Sequence, residues 1–326
     1  MRLLTFAPQG SFGNPRLGAL VNDDVVDLAV LDRSWRCEHP GLEPLPATMK
    51  TLLAAGETGL DRVRTLLKYA ESKGTGPCAD CIFKSSSIRF YPPVTDAEKF
   101  LCVGKNYRQH LEELRRNDLL LETPQEPTSF VKYNYCLSGH GWNVERPEGV
   151  IRLDYEPELV FVIGKRALGV KKADAFKYVA GVTILNDLTC RDLQRREVAS
   201  GSRFWTGKNI PGFGPLGPCI ITMDEIRDPY DLWMTCTVNG EQRMRFNTRD
   251  QIWKLPDIIE HFSRYIPFEP GDMFATGTPG GTAIGKPNAA ELFLKPGDVV
   301  ECGIKGMMTL RTRIVLPSQA QGRDNP

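Results

Sequence analysis

Two acidic residues lead straight into an apolar run in Leu153-Asp154-Tyr155-Glu156-Pro157-Glu158-Leu159-Val160-Phe161-Val162-Ile163-Gly164. The run reads as a buried strand that stops at Gly164. Side chains at i and i+2 of a strand share a face, so Glu156 and Glu158 point the same way at the rim of a core. Two carboxylates so placed repel each other unless something neutralises them. A hard divalent cation does this well, because it prefers oxygen ligands. Asp187 closes a second apolar run, 180–186, and offers a third carboxylate. The plainer reading is a solvated strand edge with ordinary charges, since Glu-x-Glu is a common pattern.

Three further segments carry candidate chemistry. In Gly104-Lys105-Asn106-Tyr107-Arg108-Gln109-His110-Leu111-Glu112-Glu113, helical spacing puts His110 and Glu113 at i and i+3, on one side. A histidine supplies a base near neutral pH, and a glutamate beside it can orient the ring or hold its proton. In Phe204-Trp205-Thr206-Gly207-Lys208-Asn209, Lys208 borders a Gly/Pro-rich stretch and could stabilise an anionic oxygen; otherwise it is an exposed turn lysine. In Ala275-Thr276-Gly277-Thr278-Pro279-Gly280-Gly281, a hydroxyl and bare amides can close on an anion. No Lys-Ser/Thr ending follows, which excludes a P-loop and nucleotide binding.

The rest of the chain organises around these segments. Residues 18–28 read as two short strands about an Asn-Asp-Asp turn, and 48–55 and 60–70 as helices. A breaker cluster at 72–77 and the strand-ending Pro92-Pro93 place a boundary near residue 95. Residues 1–95 are thus expected to form a small α+β N-terminal domain, and 96–320 a larger β-rich domain with a few helices. The latter has strands at 159–163, 180–186, 219–222 and 233–238, the last turning at Asn239-Gly240. The polar tail, 321–326, is expected to be disordered. At 326 residues, about two domains of ~150 residues each fit the length.

Composition excludes whole classes of function. Lys+Arg number 41 and Asp+Glu 40, so no global field steers the chain onto nucleic acid or an anionic membrane. No apolar run approaches the roughly 18 residues of a membrane span, and the first ten residues are too interrupted for a signal peptide. Nine scattered cysteines suit a reducing, cytoplasmic setting better than a disulfide framework. Cys78 and Cys81 form a lone C-x-x-C with no second pair at zinc-ribbon spacing.

Taken in order, these segments resemble the fumarylacetoacetate hydrolase family, from about Lys99 to Val315. The resemblance is carried by Gly-Lys-Asn-Tyr with His110-x-x-Glu113, Leu-Asp-Tyr-Glu156-x-Glu158, Val-Ala-Gly-x-Thr with Asn-Asp187, and Arg191-Asp192-Leu193-Gln194. Gly-Lys208, Pro-Leu-Gly-Pro, Val-Asn-Gly-Glu, Thr-Gly-Thr278-Pro and Leu-Lys-Pro-Gly-Asp298 complete it. It implies a mixed β-roll catalytic domain in a homodimer. One Mg²⁺ or Mn²⁺ per subunit would be held by Glu156, Glu158 and Asp187. His110 and Glu113 would activate water under a mobile segment, 114–127. Lys208 would contact the oxygens of a small 2-oxo acid, and Gln194 and Thr278 would line its carboxylate end. The implied reaction is C–C hydrolysis of an acylpyruvate-like 2,4-dioxo acid. The alternatives are decarboxylation or isomerisation of related 2-oxo dicarboxylic acids from aromatic-compound degradation, or a non-catalytic scaffold that keeps the fold. Departures from the family pattern include Pro157, Thr206, Asn209 and the segment Asn134-Tyr135-Cys136. Tyr135 is expected beside the cleft, where it would favour a bulky substrate tail.

Overall fold

A computed structural model describes residues 1–11, 14–73, 79–120, 122–201 and 205–317. Cys78 and the tail beyond 317 lie outside the described residues. The N-terminal elements are β1 (Arg2–Pro8), β2 (Arg16–Val21), β3 (Asp24–Asp27), α1 (Leu28–Glu38), α2 (Met49–Ala54), α3 (Gly56–Lys73), β4 (Ile82–Lys84) and β5 (Ile88–Tyr91). The β2–β3 turn runs through Asn22 at φ 54°, a conformation that asparagine tolerates better than most residues. Asp27 then ends β3 and caps α1, its carboxylate accepting from the amides of Ala29 and Val30 at 3.0 Å.

The larger part continues with β6 (Phe100–Gly104), α4 (Arg108–Arg116), β7 (Thr128–Val131), β8 (Leu137–Ser138), β9 (Asn143–Glu145), β10 (Leu153–Asp154), β11 (Pro157–Ile163), β12 (Val179–Asn186), β13 (Thr189–Cys190) and α5 (Arg191–Ala199). It ends with β14 (Gly214–Thr222), β15 (Trp233–Val238), β16 (Glu241–Asn247), α6 (Leu255–Ser263), β17 (Met273–Ala275), α7 (Ala289–Leu292), β18 (Val299–Ile304) and β19 (Met308–Val315). The fold is a sheet-rich α+β architecture. No described helix is long and apolar enough to cross a membrane.

One 12-stranded sheet runs β4-β3-β2-β1-β14-β12-β11-β17-β6-β7, with β5 beside β1 and β8 beside β14. The N-terminal strands therefore join the sheet of the larger part through β1, which pairs antiparallel with β14 at Leu3↔Ile220. Its central strands β11, β12 and β14 are buried at every position, which accounts for their near-continuous apolar sequences. The five-stranded sheet β16-β15-β18-β19-β9 behaves differently. Its β19 alternates buried and exposed residues, as a strand with one wet face does.

Candidate active site

Strand register builds the acidic cluster. β11 and β12 pair antiparallel with Pro157 opposite Asn186 and Glu158 opposite Leu185. The residues just outside the ladder, Glu156 and Asp187, are joined by the Asp187 amide donating to the Glu156 carbonyl at 2.8 Å. The Glu156 amide donates to the Asn186 side-chain oxygen at 3.0 Å. One carboxylate oxygen from each of Glu156, Glu158 and Asp187 lies within 4.8 Å of the other two, and all three residues are buried. The solvated-edge reading is thereby removed.

Burial of so much negative charge requires compensation. Four buried carboxylates, Asp154, Glu156, Glu158 and Asp187, share their surroundings with three buried cations, Lys132, Arg191 and Lys208. Arg191 donates from Nε to Asp154 at 2.9 Å, from Nη2 to Glu156 at 2.5 Å and from Nη1 to the Gln194 side-chain oxygen at 2.9 Å. Lys208 donates to Glu156, to Asp187 Oδ2 at 2.5 Å and to Thr189 Oγ1 at 2.8 Å, which uses all three of its N–H groups. Lys132 Nζ stands 2.9 Å from Asp187 Oδ1 and donates to the carbonyl of Lys208 at 2.6 Å. The Lys132–Asp187 contact is an ion pair outside hydrogen-bond geometry, so Asp187 Oδ1 receives no hydrogen bond.

These contacts separate the two glutamates. Burial works to raise the Glu156 carboxyl, but Arg191 and Lys208 outweigh it and hold the group well below the usual carboxylate range. Glu158 goes the other way. Burial and the nearby Asp187 charge push it well above its ordinary value, offset only in part by Lys208 and by the Gly277 amide, which donates to it at 2.8 Å. Burial would lower the Lys208 ammonium, yet Asp187 and Glu156 raise it. Lys208 is therefore charged and buried, not an exposed turn lysine.

The predicted pair lies over this cluster on the inner face of α4, where His110, Leu111, Glu113 and Leu114 are buried. His110 Nδ1 contacts Glu113 Oε2 at 3.3 Å, and His110 Nε2 lies 4.0 Å from Glu156 Oε1. Asn106 fixes the approach to the helix. It is wholly buried, its amide donates to the carbonyls of Trp253 and Thr276 at 3.0 and 2.9 Å, and its oxygen accepts from the Trp253 amide at 2.7 Å. Lys105, just before it, takes φ 61° to make the turn.

A cavity of about 30 Å³ is lined by His110, Phe130, Glu156, Glu158, Asp187, Gln194, Lys208, Gly277 and Thr278, among others. Of the site residues expected from the sequence, Glu156, Glu158, Asp187, His110, Gln194, Lys208 and Thr278 line this cavity, whereas Glu113 does not and meets it only through His110. Thr278 Oγ1 is buried with no hydrogen-bond partner, an orphaned group facing the same space. Tyr135 does not line it; it is 58% exposed and stacks on Tyr133 with ring centroids 5.6 Å apart. The chain has left the strand by then: Tyr135 sits in the short 3-10 turn Asn134–Cys136, which buries Cys136 and leaves Tyr135 outside.

Sequence reasoning missed the role of Lys132 and gave Asp154 and Arg191 only as parts of motifs. The signal that could have found them is charge balance, because acids committed to a core demand cations from elsewhere in the chain.

The fold and this cluster define an enzyme whose carboxylates are arranged to accept a metal. Residues 99–315 match the family described as fumarylacetoacetate (FAA) hydrolase, C-terminal. The mitochondrial oxaloacetate tautomerase fahd2 of Xenopus laevis is 33% identical over 97% of this chain and 90% of its own length. The oxaloacetate tautomerase YisK of Bacillus subtilis (strain 168) is 32% identical over 95% of this chain and 100% of its own. Among solved structures, the maleylpyruvate hydrolase from Sphingobium is similar with a TM-score of 0.72 and 25% identity, covering 97% of this chain and 100% of that one. The chain belongs to the fumarylacetoacetate hydrolase family, and it is an enzyme of that family.

Proposed function

We propose that the chain catalyses proton transfer on a small 2-oxo acid, with keto–enol interconversion of oxaloacetate as the reaction. The observation that carries this reading is His110, whose Nδ1 is held by Glu113 while Nε2 faces the carboxylate cluster. Two relatives named as oxaloacetate tautomerases, each matching nearly the whole chain, supply the substrate.

Glu156, Glu158 and Asp187 fit one Mg²⁺ or Mn²⁺: they offer only hard oxygen donors, Asp187 Oδ1 receives no hydrogen bond, and Glu158 has no ion-pair partner among the described residues. A divalent ion there supplies Lewis acidity that stabilises negative charge on the oxygens of a 2-oxo acid. The chain's residues do the rest. His110 takes the enol O–H proton and the resulting imidazolium returns a proton to C3, ending neutral again, so no water is consumed and no bond between carbons breaks. Glu113 keeps the ring oriented and shares its positive charge. Lys208 adds a buried ammonium beside the substrate's oxygens, exchanging one of its present bonds to do so. Gln194 and Thr278 line the carboxylate end.

Hydrolysis of an acylpyruvate-like acid is the second reading, supported by the likeness to maleylpyruvate hydrolase. There His110 would take a proton from water, which attacks the second carbonyl and releases pyruvate and an acid. One experiment separates the two. Oxaloacetate is followed by NMR in deuterated buffer with Mn²⁺, and a panel of acylpyruvates is scored for pyruvate. Accelerated deuterium entry at C3, reduced at least about 100-fold in His110→Ala, supports tautomerisation. Pyruvate release from acylpyruvates without C3 exchange on oxaloacetate supports hydrolysis, and neither result removes both readings. The proposed assembly is a homodimer, which sedimentation velocity checks.

A further inference from the structure

We propose that Asp154 and Gly285 are positioning residues that build a receptor for the Glu113 carboxylate, and that Arg191 ties this receptor to Glu156. The inference deepens the proposed function, since it rests on His110 and Glu113 as the proton-carrying pair.

The receptor is the segment 280–285. The Gly281 amide donates to Glu113 Oε1 at 2.7 Å, and Thr282 Oγ1 lies 3.5 Å from Oε2. At Gly285 there is room for the carboxylate only because the side chain is missing. A Cβ there would stand 2.1 Å from the Glu113 carboxyl carbon and 2.2 and 2.6 Å from its oxygens. Asn117 adds a clamp from the end of α4, donating to the carbonyls of Glu113 at 2.9 Å and Ile284 at 3.2 Å.

Segment 280–285 ends in a short 3-10 turn, Ala283–Gly285, with Thr282 to Ile284 buried, so the first amides of the turn need acceptors from outside it. Asp154 supplies them. Its Oδ1 accepts from Ala283 at 2.8 Å and its Oδ2 from Ile284 at 3.1 Å. The same Oδ2 accepts from Arg191 Nε at 2.9 Å, and Arg191 Nη2 continues to Glu156 Oε1 at 2.5 Å. Asp154 is wholly buried, and its carboxylate accepts from Tyr155, Ala283, Ile284 and Arg191 and from no described residue of α4, so its action on Glu113 passes through the segment it shapes. A continuous chain of charged hydrogen bonds therefore runs from Glu156, through Arg191 and Asp154, to the seat of Glu113.

The test is hydrogen exchange of residues 108–116 and 281–285 by mass spectrometry, with Mn²⁺ affinity measured in parallel. Neither readout needs a substrate, so the receptor stands or falls separately from the oxaloacetate reading. Gly285→Ala is expected to raise exchange in 108–116 by about tenfold, the effect of losing one buried charged hydrogen bond, while Mn²⁺ affinity changes by less than about threefold. On a Glu113→Ala background the carboxylate is gone and the extra methyl has space, so Gly285→Ala should then add nothing. Asp154→Asn, which removes one acceptor, should loosen both segments and keeps the test alive if Gly285→Ala does not fold. Equal effects of Gly285→Ala with and without the Glu113 carboxylate, or unchanged exchange in 108–116 in both Gly285→Ala and Asp154→Asn, would overturn the proposal.

Discussion

Lys132 and Asp187 are both buried, and their charged groups stand 2.9 Å apart without making a hydrogen bond. The lysine thus compensates the charge of the aspartate as an ion pair. Hydrogen bonds from Lys132 run instead to the carbonyls of Lys208 and Phe213, at 2.6 and 3.3 Å. One buried ammonium therefore sets both the charge of an acidic residue and the backbone position of the lysine that shares it.

Lys132→Met keeps the length of the side chain and removes its charge. The loss should destabilise the protein by about 3–5 kcal/mol, because it leaves Asp187 with less compensation. Chemical denaturation with an unchanged m-value measures this. A loss under about 1 kcal/mol would mean that Lys208 alone balances Asp187.

Glu158→Gln keeps the shape and removes the carboxylate least supported by cations. Wild-type protein stripped with EDTA should gain roughly 2.7 kcal/mol at Mn²⁺ near 100 times its dissociation constant, read as a rise in melting temperature. The variant should show almost none of that rise. If it responds like wild type, Glu158 is not a ligand.

The raised Glu158 carboxyl gives a pH signature with a definite sign. Its folded value lies above its unfolded one, so the metal-free fold holds a proton that the unfolded chain releases. Stability of the metal-free protein should fall as pH rises above about 4.3, by up to about 1.4 kcal/mol per pH unit. The lowered Glu156 carboxyl acts oppositely, but its contribution is complete above that pH and is lost only as pH falls. Mn²⁺ replaces the Glu158 proton, so the falling slope should vanish with metal and in Glu158→Gln. A metal-free stability that instead climbs between pH 5 and 8 would contradict this assignment.

Asn106→Ala removes three side-chain hydrogen bonds, one buried and two part-buried, that join the start of α4 to Trp253 and Thr276. Each backbone partner left unsatisfied costs about 1–3 kcal/mol, so the variant should lose at least about 2 kcal/mol. His110 rides on the same helix, so kcat should fall more than that stability loss explains at temperatures where the variant is fully folded. Equal kcat in the folded variant would confine Asn106 to stability.

Tyr135→Ser tests a surface. The ring is exposed and stacks on Tyr133, away from the cavity. Substrate preference should not change, and stability should move by no more than about 0.5 kcal/mol. A shift in preference between short and long 2-oxo acids would place Tyr135 at the substrate after all.

The sequence by itself determined several of the elements and part of the site. The unbroken apolar runs of β11 and β12 fix buried strands, and the i, i+2 rule puts Glu156 and Glu158 on one face. The i, i+3 rule likewise sets His110 beside Glu113 on α4. Each of these is periodic over a few residues, so a short stretch of chain carries the whole signal. Only the tertiary structure decided what neutralises and seats these groups. Arg191 reaches Asp154 across 37 residues of chain, Lys208 reaches Glu156 across 52, and Gly281 reaches Glu113 across 168. A lysine bound for the core and one bound for solvent look alike locally, because the compensating charge is supplied from another part of the fold. The same holds for β1, which joins β14 more than 200 residues later. An unpaired strand edge states that it needs a partner, and chain packing alone selects which one.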